Sequence, residues 1–112
     1  MIVRVSEIDG ATMVLEVEHG DEGPVVERLS QTGHGFAVFG PDLEIPMAVV
    51  DGRLRTEEWC TEDHMLAIEA HELGHILEET CDEPTAEWAA IEMLEKTGRL
   101  IAAGILRERG VV

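Results

Sequence analysis

An α+β domain is what the sequence predicts, and three observations lead there. The first fifty residues break into short apolar runs separated by Asp-Gly and Gly-Pro punctuation, the pattern of strands and turns. From Thr61 onward apolar residues return every three or four positions, the period of helices. A chain of 112 residues, 45% of them hydrophobic, can fill one core but not two, so residues 1–112 are expected to form a single domain.

Each element has its own warrant. Ile2, Val3 and Val5, the Asp9-Gly10 turn and the run from Met13 to Glu18 predict a β-hairpin. Pro24, behind Asp21 and Glu22, predicts a short helix to about Gln31, ended by Thr32-Gly33-His34-Gly35. Phe36-Ala37-Val38-Phe39 predicts a short strand closed by Gly40-Pro41. Residues 43–50 predict another, and Pro46 inside that run assigns it to a sheet edge. Thr61, with Glu62 and Asp63 behind it, is an expected N-cap with acid in the first turn. In the helix that follows, Leu66, Ala70, Leu73 and Leu77, widened by Ile76, form one apolar stripe, while His64, His71, His75 and Glu78 lie nearly opposite. A tight connection over residues 80–84 leads to a second helix from about Pro84 to Lys96, with Ala86, Ala89, Ala90, Met93 and Leu94 inward. Thr97-Gly98 breaks it, and a shorter helix is expected over residues 99–109. Trp59 and Trp88 are expected to anchor the packing.

Charge narrows the partners. Lys+Arg number 8 against 24 Asp+Glu, a formal charge of −16. Nothing here lines a groove with cations for phosphates, so nucleic acid is excluded as a partner, and an anionic membrane surface with it. No apolar run approaches the roughly 20 residues that span a bilayer. The first ten residues alternate polar and apolar without the pattern of a signal peptide, so the expectation is a cytoplasmic protein. The acid-rich stretch from residue 57 to 95 reads as a solvated face, able to steer basic peptides. Cys60 and Cys81 flank one expected helix, which would hold them roughly 30 Å apart, far beyond disulfide reach. Both are expected to be free thiols, as in a reducing compartment.

His71-Glu72-Leu73-Gly74-His75 carries the chemistry. Two histidines four apart on a helix project from one face one turn apart, which suits two nitrogen ligands of one Zn2+. Glu72 sits beside that face, placed to act on a zinc-activated water as general base. Gly74 inside a helix costs about 1 kcal/mol against alanine, so a close approach is expected there. A catalytic zinc needs a third protein ligand and an open position. Glu87 is the first choice: an antiparallel helical hairpin sets it level with His75, on the inward side shared with Ala90, Ile91 and Leu94. Glu83, in the turn, is an alternative that would otherwise cap the helix. Cys81 is another, ten residues after His71.

The HExxH run, followed by Asp82-Glu83-Pro84-Thr85-Ala86-Glu87, resembles the short zincin-like metallopeptidases of the gluzincin type, the minimal gluzincins and the ImmA/IrrE-like peptidases being nearest. The resemblance covers about residues 66–94. It implies a small zincin-like domain: N-terminal strands with a short helix, then an HExxH helix, a glutamate-bearing helix and a short C-terminal helix. It also implies His71 and His75 as metal ligands, Glu72 as base, Glu87 as third ligand, and a peptide or protein as substrate. Glu69 departs from the pattern, since zincins usually have an uncharged residue two before the first histidine. Zincins also commonly stabilise the oxyanion with tyrosine or histidine, and this chain has no tyrosine. His34, in its glycine-flanked turn, and Arg99 are the candidates for that task, while His64 lies about 10 Å of helix before His71 and would at most line the cleft.

Two functions are therefore expected to compete. One is a zinc-dependent peptidase hydrolysing an extended peptide that pairs with the edge strand at residues 43–50. The other is a non-catalytic metal-binding module on the same fold, acting as an adaptor, virion or regulatory component. Substrate identity and oligomeric state are not specified by the sequence.

Overall fold

The turn at Asp9-Gly10 folds the chain back as expected. β1 (Ile2–Val5) pairs antiparallel with β2 (Met13–Val17), Val3 opposite Leu15. The Asp9 carboxylate caps the turn by accepting from the N–H groups of Ala11 and Thr12, each at 2.9 Å. α1 (Pro24–Thr32) begins at its proline and ends at Gly33, followed by β3 (Gly35–Val38) and β4 (Met47–Asp51). The computed structural model describes residues 1–109, and these elements form a four-stranded mixed sheet in the order β1-β2-β4-β3.

One expectation is corrected here. The strand expected over residues 43–50 starts only at Met47, so Pro46 stands just outside the ladder and removes no hydrogen bond from it. β4 is consequently interior, parallel to β2 on one side and antiparallel to β3 on the other. The free edges belong to β1 and β3.

Strand alternation sorts the sheet into two faces. Val17, Val49 and Phe36 meet Leu29 of α1 on one face. Val14, Ala48 and Val50 look the other way, into the main core beneath three helices: α2 (Glu62–Leu77), α3 (Glu83–Lys96) and α4 (Leu100–Arg109). α2 lies on β3 and β4, and both later helices pack against it. Thr61 caps α2 as expected, its hydroxyl accepting from the His64 N–H, while His64 Nδ1 accepts from the Thr61 N–H. A 3₁₀ turn over Gly52–Thr56, not anticipated from the sequence, carries Arg55 to Glu16 at 2.9 Å.

α2 is not the two-faced helix its stripe predicted. Met65, Ala67, Ile68, Ala70, Leu73, Gly74 and His75 are all buried, so the helix is enclosed over most of its surface. Leu77, expected inside, is 63% exposed, because the chain leaves the core at the helix end. Trp59 and Trp88 are also about half exposed and anchor no core. Glu69, the charge that departs from the zincin pattern, is buried and satisfied: Ser6 Oγ and Arg4 Nη2 each donate to it at 2.6 Å, pinning α2 to β1.

Gly74 is where the close approach occurs. A Cβ there would run into the backbone carbonyl of Ala86, so α3 crosses α2 nearly backbone to backbone at that point. Gly104 in α4 is the internal contrast, with open space where its Cβ would stand. Gly74→Ala should therefore destabilise the fold by at least about 1–3 kcal/mol, the usual size of an overpacked core. Gly104→Ala should instead stabilise it by up to about 1 kcal/mol through helix propensity. Chemical denaturation of the two variants checks both signs.

Candidate metal centre

The crossing at Gly74 and Ala86 brings two pairs of side chains together. His71 and His75 lie on either side of Gly74 in α2, and Glu83 and Glu87 lie on either side of Ala86 in α3. Residues four apart share a helix face, so both pairs point into the same gap. Asp82 caps α3 by accepting from the Thr85 N–H at 3.0 Å, which starts the helix where Glu83 occupies its first turn.

Each imidazole is held by its outer nitrogen. His71 Nδ1–H donates to the buried Glu87 carboxylate. His75 Nδ1–H donates to the backbone carbonyl of Thr80 at 2.7 Å. That carbonyl is presented by a turn in which Glu79 adopts a left-handed φ of 47°, a conformation normally given to glycine at this position. A carbonyl and a carboxylate only accept, so each ring carries a hydrogen on Nδ1, and in the neutral ring the Nε2 lone pair faces inward.

The inward nitrogens converge. His71 Nε2 and His75 Nε2 are 3.2 Å apart. Above them Glu83 sets one oxygen 2.7 Å from His71 Nε2 and the other 3.2 Å from His75 Nε2. Glu72 stands beside them, with donor atoms of His71, Glu72 and His75 all within 4.8 Å of one another. With neutral rings the gap gathers nitrogen and carboxylate electron pairs, an arrangement that a cation or a shared proton satisfies. Two nitrogens about 2.0–2.1 Å from one tetrahedral zinc stand roughly 3.3 Å apart, so the observed spacing suits that ion.

Charge at the site follows from burial and partners. Glu72 makes no hydrogen bond among the described residues, and its burial pushes its carboxyl from 4.5 to about 7, against the pull of His71 and His75. For His71, burial opposes protonation, yet the carboxylates of Glu87, Glu72 and Glu83 outweigh it and raise the imidazole above its usual range. Burial likewise opposes ionisation of Glu87, but His71 and Arg109 hold its carboxyl below the usual value. Arg109 Nη2 donates to Glu87 at 3.1 Å.

A cleft runs on both sides of Glu72 along the free edge of β3. On one side is a cavity of about 360 Å³ whose wall includes Phe36, Ala37, Phe39, His75, Cys81 and Glu83. On the other is a smaller one of about 180 Å³, bounded by His34, Ile68, His71 and Arg109. Gly35 lets the strand lie this close: a Cβ on it would stand 2.7 Å from the Val49 carbonyl and 3.2 Å from Glu72 Oε2.

Of the residues singled out in the sequence, His71, Glu72, His75, Glu83 and Glu87 are brought together, and Cys81 lines the cleft as a free thiol. Glu87 meets the outer nitrogen of His71, whereas Glu83 meets both inner ones. His34 borders the cleft. Arg99 does not; its Nη2 donates to the Glu7 carbonyl at 2.9 Å. His64 serves the helix cap and touches Trp59 edge-on. Arg109 was not anticipated, because nothing in the spacing of 22 residues to Glu87 signals the contact. No family model matches the sequence, and no curated protein or solved structure matches it either.

The Glu72 environment has a measurable cost. Its folded-state pKa lies above its unfolded value, so its contribution to stability is full below about pH 4.5 and is lost as pH rises towards 7. Glu72→Gln should therefore stabilise the metal-free protein by a few kcal/mol more at pH 8 than at pH 4, at about 1.4 kcal/mol per tenfold change in proton affinity. Urea titrations of both proteins at the two pH values test this.

Proposed function

We propose that the chain is a zinc-dependent peptidase in which His71, His75 and Glu83 hold the metal and Glu72 is the general base. One observation carries the reading. Both histidines have their outer nitrogens committed to acceptors, and their inner nitrogens stand 3.2 Å apart beneath the Glu83 carboxylate. Glu87 then serves as the orienting partner of His71, a role that carboxylates commonly take behind zinc-bound histidines.

A bound zinc supplies Lewis acidity, polarising the scissile carbonyl and acidifying water at neutral pH. Glu72 accepts the proton of the attacking water and delivers it to the leaving amine nitrogen. Burial raises the proton affinity of this carboxyl in the metal-free protein, and a bound cation would favour its ionised, proton-accepting form. The peptide lies extended in the cleft, its backbone pairing with the free edge of β3 rather than with the interior strand β4. Free Cys60 and Cys81 fit a reducing, cytoplasmic setting. Among the described residues no helix is long and apolar enough to cross a membrane.

Purified protein should carry about one zinc per chain. Glu83→Gln should lower zinc affinity more than Glu87→Gln, for which about 10–100-fold is expected of an orienting partner. The reverse order would return the third-ligand role to Glu87. Glu72→Gln should keep its zinc while cleavage of an unbiased peptide library falls about 10²–10⁴-fold. Zinc-loaded protein that cleaves nothing in that library would leave the metal-binding adaptor, virion or regulatory module as the function.

A further inference from the structure

Glu72 divides the cleft into unlike halves. The larger half is walled by Phe36 and Phe39, whereas the smaller ends on a guanidinium. Arg109 reaches that wall from the last turn of α4, and Glu87 fixes it there through Nη2. Glu87 is itself 3% exposed and tied to His71, so the guanidinium, on a side chain 47% open to solvent, is anchored through Glu87 to that histidine. Its Nε and Nη1 groups make no hydrogen bond among the described residues. Across the cavity the His34 ring is steadied against Trp59, their centroids 5.6 Å apart. At about 180 Å³ the space is well below the roughly 300–1,000 Å³ of a drug-sized pocket, and admits about one residue of a peptide.

We propose that this half of the cleft is a carboxylate pocket: Arg109 selects substrates bearing a negatively charged carboxylate on the residue lodged beside His34. A planar guanidinium with N–H groups that have no partner among the described residues is the side chain best matched to that anion. The carboxylate comes either from the C-terminus of the peptide or from an aspartate side chain. This inference rests on the peptidase reading, since it names the substrate class of the same cleft.

Binding separates it from that reading without turnover. The probes are acetyl-Ala-Ala as free acid and as C-terminal amide, and acetyl-Ala-Asp-amide against acetyl-Ala-Asn-amide. Each is titrated calorimetrically into zinc-loaded Glu72→Gln protein and into metal-free native protein. A charged probe should bind about tenfold or more tightly than its neutral twin, the scale of one hydrogen bond to a charged group. Preference within the first pair identifies a terminal carboxylate, and preference within the second an internal acid. Arg109→Gln should abolish the preference in both protein forms, and Arg109→Lys should keep part of it. Their folding and zinc content are checked separately. Equal binding of charged and neutral twins by the parent proteins overturns the carboxylate pocket, whatever the variants do. A preference that survives in folded Arg109→Gln overturns the assignment to Arg109. Loss of zinc or of peptide cleavage by the native protein is a different outcome and strikes the peptidase reading itself.

Discussion

The backbone of α3 rests on Gly74, and the site is built around that contact. Gly74 lies between the two histidines, and Ala86, the residue it touches, lies between the two glutamates. A crossing at this point places four side chains in one gap without further adjustment. Any side chain at residue 74 would push the helices apart and separate carboxylates from imidazoles by the same motion. The helical break that glycine normally invites is suppressed here, because α2 is enclosed by the sheet and by both later helices.

The burial of acid is what differentiates the glutamates of an otherwise acidic chain. Four of them are buried: Glu16, Glu69, Glu72 and Glu87. Three have arginine partners, Glu16 with Arg4 and Arg55, Glu69 with Arg4, and Glu87 with Arg109. Glu72 has none among the described residues, and its burial pushes it towards neutrality. Three buried carboxylates thus serve as anchors between elements, while the fourth is kept able to exchange a proton.

The legible part of this molecule was the part written in local spacing. The hairpin, the cap at Thr61, the HExxH face and the inward setting of Glu87 all follow from neighbours within a few residues, whereas the cap of α3 falls on Asp82 and not on Glu83. Glu83 and Glu87, weighed as alternatives, are themselves four apart, so a shared face was readable; which imidazole nitrogen each meets depends on how α3 crosses α2. Pro46 misled because a strand can begin one residue after a proline as easily as contain it. Leu77 misled because hydrophobic period continues past the point where the core ends. Arg109 could not be read at all, since it reaches Glu87 only through the packing of α4 against α3.

Exposure within the donor set is uneven, and that has a kinetic meaning. Glu83 has 59% of its side chain open to solvent, while His71 and His75 have 13% and 8%. An incoming cation, drawn by the field of a molecule carrying −16, meets the glutamate before it meets either ring. In the proposed zinc site Glu83 would be the landing stage, and the histidines would complete the shell after water had been shed. Arrival should slow steeply with ionic strength, as for any charge-steered encounter. Departure from that site would begin by opening the same carboxylate, so the residue that set how quickly an ion was captured would also set how long it stayed.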